Sequence, residues 1–274
     1  MSARAPAPAT PTPTPIGHPR LHLRRTGSTN ERARELAFAG APHGTLVTAA
    51  EQTAGRGRQG RRWEAPAGSS LLASLLLREV PTLLPLIAAV AVCDVAGRQA
   101  QIKWPNDIVV PRATAGSPDG PGAGLAKLAG ILVEGRPQEG WAVLGIGLNV
   151  AVRLEQLPSE LRADGPAATA GAGLPAATLG LEPTAVEPTL ARLLGALTRR
   201  LAEPAEVTLQ SWRERDALRG REIAWGAHGA SDRLEHGRAD GIDGTGRLVV
   251  ALPDGGRTAI GAGEVHLREI AERR

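Results

Sequence analysis

The chain has 274 residues, 42% of them hydrophobic and 22% charged, and carries a formal net charge of +4. That length and balance fit a soluble globular chain of one large or two ordinary domains and exclude a wholly disordered one. No run of about 18 apolar residues is present to span a bilayer, no secretory signal opens the chain, and the positive excess is too small and too diffuse for a nucleic-acid tail.

Residues 1–20 begin MSARAPAPATPTPTPIG, in which proline alternates with alanine and threonine; this predicts a solvated, disordered tail. Ser28-Thr29-Asn30-Glu31 has the spacing of a capping box, and Ala33, Leu36 and Ala37 share a face before Gly40, so a helix is expected over 29–39. GTLVTAAEQ (44–52) and SLLASLLLR (70–78) read as strands, and PTLLPLIAAVAVCDVAG (81–97), apolar nearly all round, as a buried helix with Pro85 near its start. Strands are expected at 101–104, 107–110, 127–135 and 141–150, with a flexible insert at 111–124. A long surface loop at 160–184 precedes helices at 186–203 and 207–218. From Arg221 onward, short alternating segments separated by Gly and Asp turns describe a small all-β module of about 55 residues.

What is scarce is as informative as what is common. Thirty of the 32 basic residues are arginine; Lys103 and Lys127 are the only lysines, and Asn30, Asn106 and Asn149 the only asparagines. Arginine has replaced lysine almost everywhere, so the surviving lysines mark places where a compact ammonium is needed. Lys103-Trp104-Pro105-Asn106-Asp107 concentrates these rare types, and the proline restricts Trp104 to extended backbone, so Lys103 and Asp107 leave a strand end in set directions. A salt-bridged turn is the alternative there. Asn149 follows Gly145-Ile146-Gly147, whose glycines permit close approach of a ligand or of backbone; a buried, backbone-bonded asparagine is the alternative.

Gly55-Arg56-Gly57-Arg58-Gln59-Gly60 matches G-x-G-x-x-G, but Pro66 and Gly68 prevent the helix that a dinucleotide site requires. Arg56, Arg58, Arg61 and Arg62 among glycines instead describe a mobile loop able to close over a polyanion, with Trp63 directly behind it. No P-loop, nucleophile elbow or H-E-x-x-H site is present. The single cysteine, Cys93, excludes an internal disulfide and a multiple-thiolate zinc site.

In order and spacing, S-T-N (28–30), E-Q-T-A-G-R-G-R-Q-G-R-R-W (51–63), K-W-P-N-D (103–107), K-L-A-G-I-L-V-E (127–134) and G-I-G-L-N-V (145–150) resemble the biotin protein ligases. The resemblance implies an α+β fold: a mixed β-sheet flanked by helices over 21–217, with a small C-terminal SH3-like barrel over 218–274. It implies activation of biotin by ATP to biotinyl-5′-AMP, then transfer to a lysine of a biotin carboxyl carrier domain. Biotin, ATP and Mg²⁺ enter as substrates and ion, without a tightly bound prosthetic group. It places Ser28, Thr29, Asn30, Gln52, Arg56, Gly57, Arg58 and Lys127 around biotin, and Arg56, Arg58, Trp63, Lys103, Asn106 and Asn149 around the nucleotide. Arg58 and Lys127 carry the catalytic role, and Asp107 is placed at Mg²⁺ or the incoming amine. A cytoplasmic monomer or weak homodimer follows. Seventeen Pro-rich residues cannot form the helix-turn-helix domain of the family's repressors, so no operator binding is expected. A lipoate ligase, or a nucleic-acid-binding regulator using the arginine loop, are the rival readings.

Overall fold

The computed structural model describes residues 16–112, 124–136, 139–162, 174–226, 234–261 and 264–267. Its main sheet has seven strands: β1 (Arg20–Leu23), β2 (Leu46–Ala49), β3 (Ser70–Leu77), β4 (Gln101–Lys103), β5 (Asp107–Arg112), β6 (Gly124–Arg136) and β7 (Trp141–Asn149). Their order is β1-β2-β3-β7-β6-β5-β4; β1 and β2 run parallel and every other neighbour is antiparallel.

Period-two alternation divides this sheet into two unlike faces. On β3, Leu71, Ala73, Leu75 and Leu77 join the main core, as do Leu144, Ile146 and Leu148 on β7. Against that face lies α2 (Leu84–Ala96), buried at nine consecutive or near-consecutive positions from Leu84 to Cys93 and backed by α3 (Val186–Leu201) and α4 (Ala205–Arg213). Near its end Asp94 accepts from Arg199 and Arg200 at 2.8 Å and from Arg215 at 3.0 Å, tying the helical layer together. The opposite face carries Ser74, Gly145, Gly147 and Asn149. There α1 (Thr29–Phe38) packs over β2, β3 and β7, with Ala33 and Ala37 against Val47, Leu76 and Val143.

The C-terminal unit is a five-stranded antiparallel sheet: β8 (Glu222–Gly226), β9 (Glu235–Ile242), β10 (Leu248–Ala251), β11 (Arg257–Ile260) and β12 (Glu264–Leu267), ordered β11-β10-β9-β8-β12. Two bonds from the end of β4 and the turn after it join it to the main sheet: Trp104 Nε1 donates to the Gly246 carbonyl at 3.1 Å and Lys103 Nζ to the Val265 carbonyl at 2.8 Å.

The differences from the sequence reading have local causes. Ile16 is buried and Arg20 already pairs with Leu46 in β1, so the ordered chain begins before residue 21; the rest of the proline tail lies outside the described residues. The helix expected to 218 stops at Arg213, because the following chain turns to bond Ile102 on both sides, through the Arg215 carbonyl at 2.7 Å and the Ala217 N–H at 3.0 Å. Of the insert at 111–124, residues 113–123 lie outside the described residues, while its two ends extend β5 and β6. The expected surface loop at 160–184 is in part a sheet partner: the Pro175 carbonyl accepts from Lys127 N at 2.6 Å, and Ala177 N donates to the Lys127 carbonyl at 2.7 Å.

Candidate active site

Ser28, Thr29, Asn30, Gln52, Arg56, Gly57, Arg58, Trp63, Lys103, Asn106, Asp107, Lys127 and Asn149 all line one cavity of about 210 Å³ on the second face of the main sheet. The three arginine-loop and lysine side chains on which the sequence reading leaned most, Arg56, Arg58 and Lys127, therefore converge.

One end of the cavity is a hydrogen-bonded nest of small polar groups at the start of α1. Ser28 has extended backbone (φ −149°, ψ 136°) but makes no side-chain cap bond, so the capping-box reading does not hold, and Ser28 instead lines the cavity. Gln52 Oε1 accepts from the Thr29 N–H at 2.7 Å and the Thr29 hydroxyl at 3.0 Å. Ser74, buried on β3, donates to Asn30 Oδ1 at 2.6 Å and lies 2.8 Å from Thr29 Oγ1. Asn30 Nδ2 in turn donates to Glu134 Oε2 at 2.8 Å. Gly145 is indispensable here, because a Cβ at that position would stand 2.1 Å from Asn30 Oδ1.

The middle is closed by the arginine loop, which is a small hairpin: Trp63 N donates to the Gly55 carbonyl at 3.0 Å and Gly57 N to the Arg61 carbonyl at 2.7 Å. Gly55 is required for this closure, since a Cβ there would lie 2.4 Å from the Trp63 carbonyl oxygen. Arg58 to Gly60 forms a single tight turn with Gln59 at φ 56°. Trp63 lies against β6 and β7, where a Cβ on Gly147 would meet its indole at 2.6 Å and one on Gly130 at 3.1 Å. These two glycines pair with each other across the strands, so together they form a flat bed for the ring. The buried Trp63 Nε1 has no hydrogen-bond partner among the described residues.

The far end is cationic. Lys127 Nζ pairs with Asp107 Oδ1 at 2.7 Å and sits 5.7 Å from the centre of the Trp63 ring. Burial pushes the Asp107 carboxyl upward, but the Lys127 and Lys103 ammoniums outweigh it and hold Asp107 below the usual carboxylate range. Burial lowers Lys103, with Asp107 only partly offsetting it, and Lys127, Arg61 and Arg58 lower it further. Burial also lowers Arg58, opposed by Asp107 and reinforced by Arg61. Arg58 Nη1 donates to Asn106 Oδ1 at 3.3 Å, and Asn106 is itself locked to β6 through the Ile131 carbonyl at 2.9 Å.

Two expected roles look different in this geometry. Asn149 donates from Nδ2 to the Ala177 carbonyl at 2.9 Å and accepts from Ser70 at 3.2 Å, so its amide is occupied in holding the 174–181 segment to the sheet. The Asp107 carboxylate is engaged by Lys127 among further cations, which is a poor setting for a protein-held divalent ion. No group of three or more His, Cys, Asp or Glu suited to a metal occurs among the described residues. Three contributors escaped the sequence reading. Ser74 and Gly130 sit in runs of apolar and small residues, and Glu134 stands near the end of a strand where a charge is unremarkable; only the pairing of Ser74 with Gly145 across β3 and β7 singles Ser74 out.

Residues 22–150 match the model of the biotin/lipoate A/B protein ligase family, and residues 232–268 that of the biotin protein ligase C-terminal domain. The biotin--[acetyl-CoA-carboxylase] ligase of Mycobacterium tuberculosis is 34% identical over 271 residues, covering 89% of this chain and 87% of that protein. The chain belongs to the biotin protein ligase family. The ligase of the same name from Paracoccus denitrificans is 33% identical, with 89% and 98% of the two chains covered. Against the bifunctional ligase/repressor BirA of Bacillus subtilis the match is 40% identical over 147 residues, which is 49% of this chain and 41% of that protein. The solved structure of the Aquifex aeolicus biotin protein ligase, in complex with biotin and ATP, shares the fold of this family member, with a TM-score of 0.69, 23% identity and 91% and 98% coverage.

Proposed function

We propose that the chain activates biotin with ATP to biotinyl-5′-AMP and transfers the biotinyl group to a lysine of a biotin carboxyl carrier domain. The observation that carries this reading is the polarity of this cavity: neutral hydrogen-bonding groups at one end, and Lys103, Lys127 and Arg58 about Asp107 at the other. A cyclic urea fits the first, which Ser28, Thr29, Asn30 and Gln52 line, and a carboxylate meeting a triphosphate fits the second. The whole-length relatives and the C-terminal domain match favour biotin over lipoate.

In the first step a biotin carboxylate oxygen bonds to the α-phosphorus and the bond to the bridging oxygen of the β-phosphate breaks, releasing pyrophosphate. Both reactants are anions, so the barrier is largely electrostatic. Lys127 and Arg58 supply positive charge where the two meet, and Trp63 offers the adenine a ring already braced by Gly130 and Gly147. Asp107 keeps Lys127 charged and aimed, rather than holding a cation itself. A divalent ion enters on the phosphate oxygens as part of the substrate. The arginine loop then covers the mixed anhydride and excludes water. In the second step the carrier's amine attacks the acyl carbon, the bond to the AMP oxygen breaks, and the amine proton leaves to solvent. The test is direct: the purified chain incubated with ATP, Mg²⁺ and biotin retains a biotinyl-adenylate detectable by mass spectrometry, and lipoate in place of biotin leaves none.

A further inference from the structure

Glu134 belongs to neither end of the cavity, yet it touches parts of both. Its Oε2 accepts from Asn30 Nδ2 at 2.8 Å, while Oε1 lies 3.6 Å from Arg56 Nη2 in the arginine loop and 3.8 Å from Arg34 Nη1 on α1. It is fixed on β6, paired with Val143 on β7, and its side chain is 21% exposed. A carboxylate accepts only, so Glu134, joined by the more distant Leu132 carbonyl at 3.4 Å, makes Asn30 present Nδ2 to this side and Oδ1 to Ser74. That orientation matches the 2.6 Å Ser74 bond, and a reversed amide would set Oδ1 against a negative charge.

We propose that Glu134 is a positioning residue that couples the head-group pocket to the arginine loop, setting the Asn30 amide with one oxygen and drawing Arg56 down with the other. The assignment of the pocket to biotin rests on the function proposed above; the coupling does not. Because the same rigid strand residue serves both contacts, correct seating of Asn30 and closure of the loop are parts of one event.

The test has two arms on the whole chain. In the first, no substrate is added and trypsin cleavage after Arg56, Arg58, Arg61 and Arg62 is timed against cleavage elsewhere. The isosteric Glu134→Gln variant loses the charge, and the loop is cut about threefold faster, the size expected for a part-exposed ion pair; Glu134→Asp, which keeps the charge, recovers most of that protection. In the second, calorimetric titration with biotin gives an affinity about tenfold weaker for Glu134→Gln, as for loss of a hydrogen bond to a charged group, and the adenylation KM for biotin rises while kcat changes less. Unchanged loop cleavage in Glu134→Gln, or Glu134→Asp behaving no better than Glu134→Gln, overturns the coupling. A wild-type chain that binds no biotin overturns the functional reading, and the cleavage arm still decides the role of Glu134.

Discussion

The two ends of the cavity meet their ligands in opposite ways. At the start of α1, Thr29, Asn30, Gln52 and Ser74 spend much of their hydrogen-bonding capacity on one another and on Glu134, so the pocket is organised before anything enters it. At the far end, Lys103, Lys127 and Arg58 stand about the Asp107 carboxylate, and burial lowers both Lys103 and Arg58. The first end is internally bonded and presents a fixed donor pattern; the second gathers cations that an arriving anion would meet. Affinity for the uncharged head group and rate of the charged reaction are therefore separable by mutation.

The largest effect is expected from breaking the charged end. Lys127→Ala removes the ammonium that the proposed function sets at the reacting groups and leaves Asp107 without its 2.7 Å partner. Pyrophosphate exchange falls about a thousandfold, in the range of a lost electrostatic donor in a preorganised site, while biotin binding measured by calorimetry stays within a few fold. Near-normal exchange would contradict the assignment. The converse break is Gly145→Ala, whose Cβ cannot coexist with Asn30 Oδ1 at 2.1 Å. Displacing Asn30 costs roughly 2 kcal/mol, in the range of local overpacking, and weakens biotin binding about thirtyfold; ATP binding, reached from Asn30 only through Glu134 and the arginine loop, falls much less. Equal losses of both ligands would mean that the two ends act as one unit.

The two ends were unequally legible in the sequence. The cationic end announced itself because lysine and asparagine are so rare in this chain that Lys103, Asn106 and Lys127 stood out, and because four arginines among three glycines have few structural explanations. The secondary structure followed from periodicity, with errors at helix ends and in the 174–181 segment, whose attachment depends on backbone bonds to β6 that leave no side-chain pattern. The neutral end was legible only in Ser28, Thr29, Asn30 and Gln52. Ser74 is one small polar residue in SLLASLLL, and its meaning emerges only when β3 is set beside β7 with Gly145 opposite. The capping-box spacing at Ser28 pointed to the right helix start for the wrong reason, since that side chain makes no cap bond.

A smaller effect sharpens the boundary between the ends. Arg58 stands on the tight turn of the loop, bonded to Asn106 at 3.3 Å; in the proposed function it serves retention of the intermediate as well as its formation. Arg58→Gly releases the biotinyl-adenylate about tenfold faster, as for one charge-assisted hydrogen bond, with a smaller loss in the adenylation rate. If the intermediate dissociates at the wild-type rate, the loop does not close over it.

The smallest effect comes from a carboxylate outside the cavity and tests whether charge balance is what distinguishes Asp107. Asp216 sits at the junction with the C-terminal sheet. It accepts from the Leu218 N–H at 2.8 Å, but its buried Oδ2 has no hydrogen-bond partner among the described residues. Burial, only partly offset by those backbone N–H groups, pushes its pKa up to about 6. An unfolded aspartate titrates near 3.9, so the folded chain holds this proton more tightly. The resulting stability is present below about pH 4 and is lost as the pH rises through about 6. Asp216→Asn keeps an acceptor for Leu218 and removes the titration, so its melting temperature should exceed wild type by roughly 2–4 °C at pH 7.5 and converge with it near pH 4. Asp107→Asn should show the reverse sign, because its carboxyl is held low by ammoniums and contributes above the unfolded value, not below it. Two buried carboxylates whose variants shifted stability in the same direction with pH would mean that neighbouring cations are not what sets the cavity's far end apart.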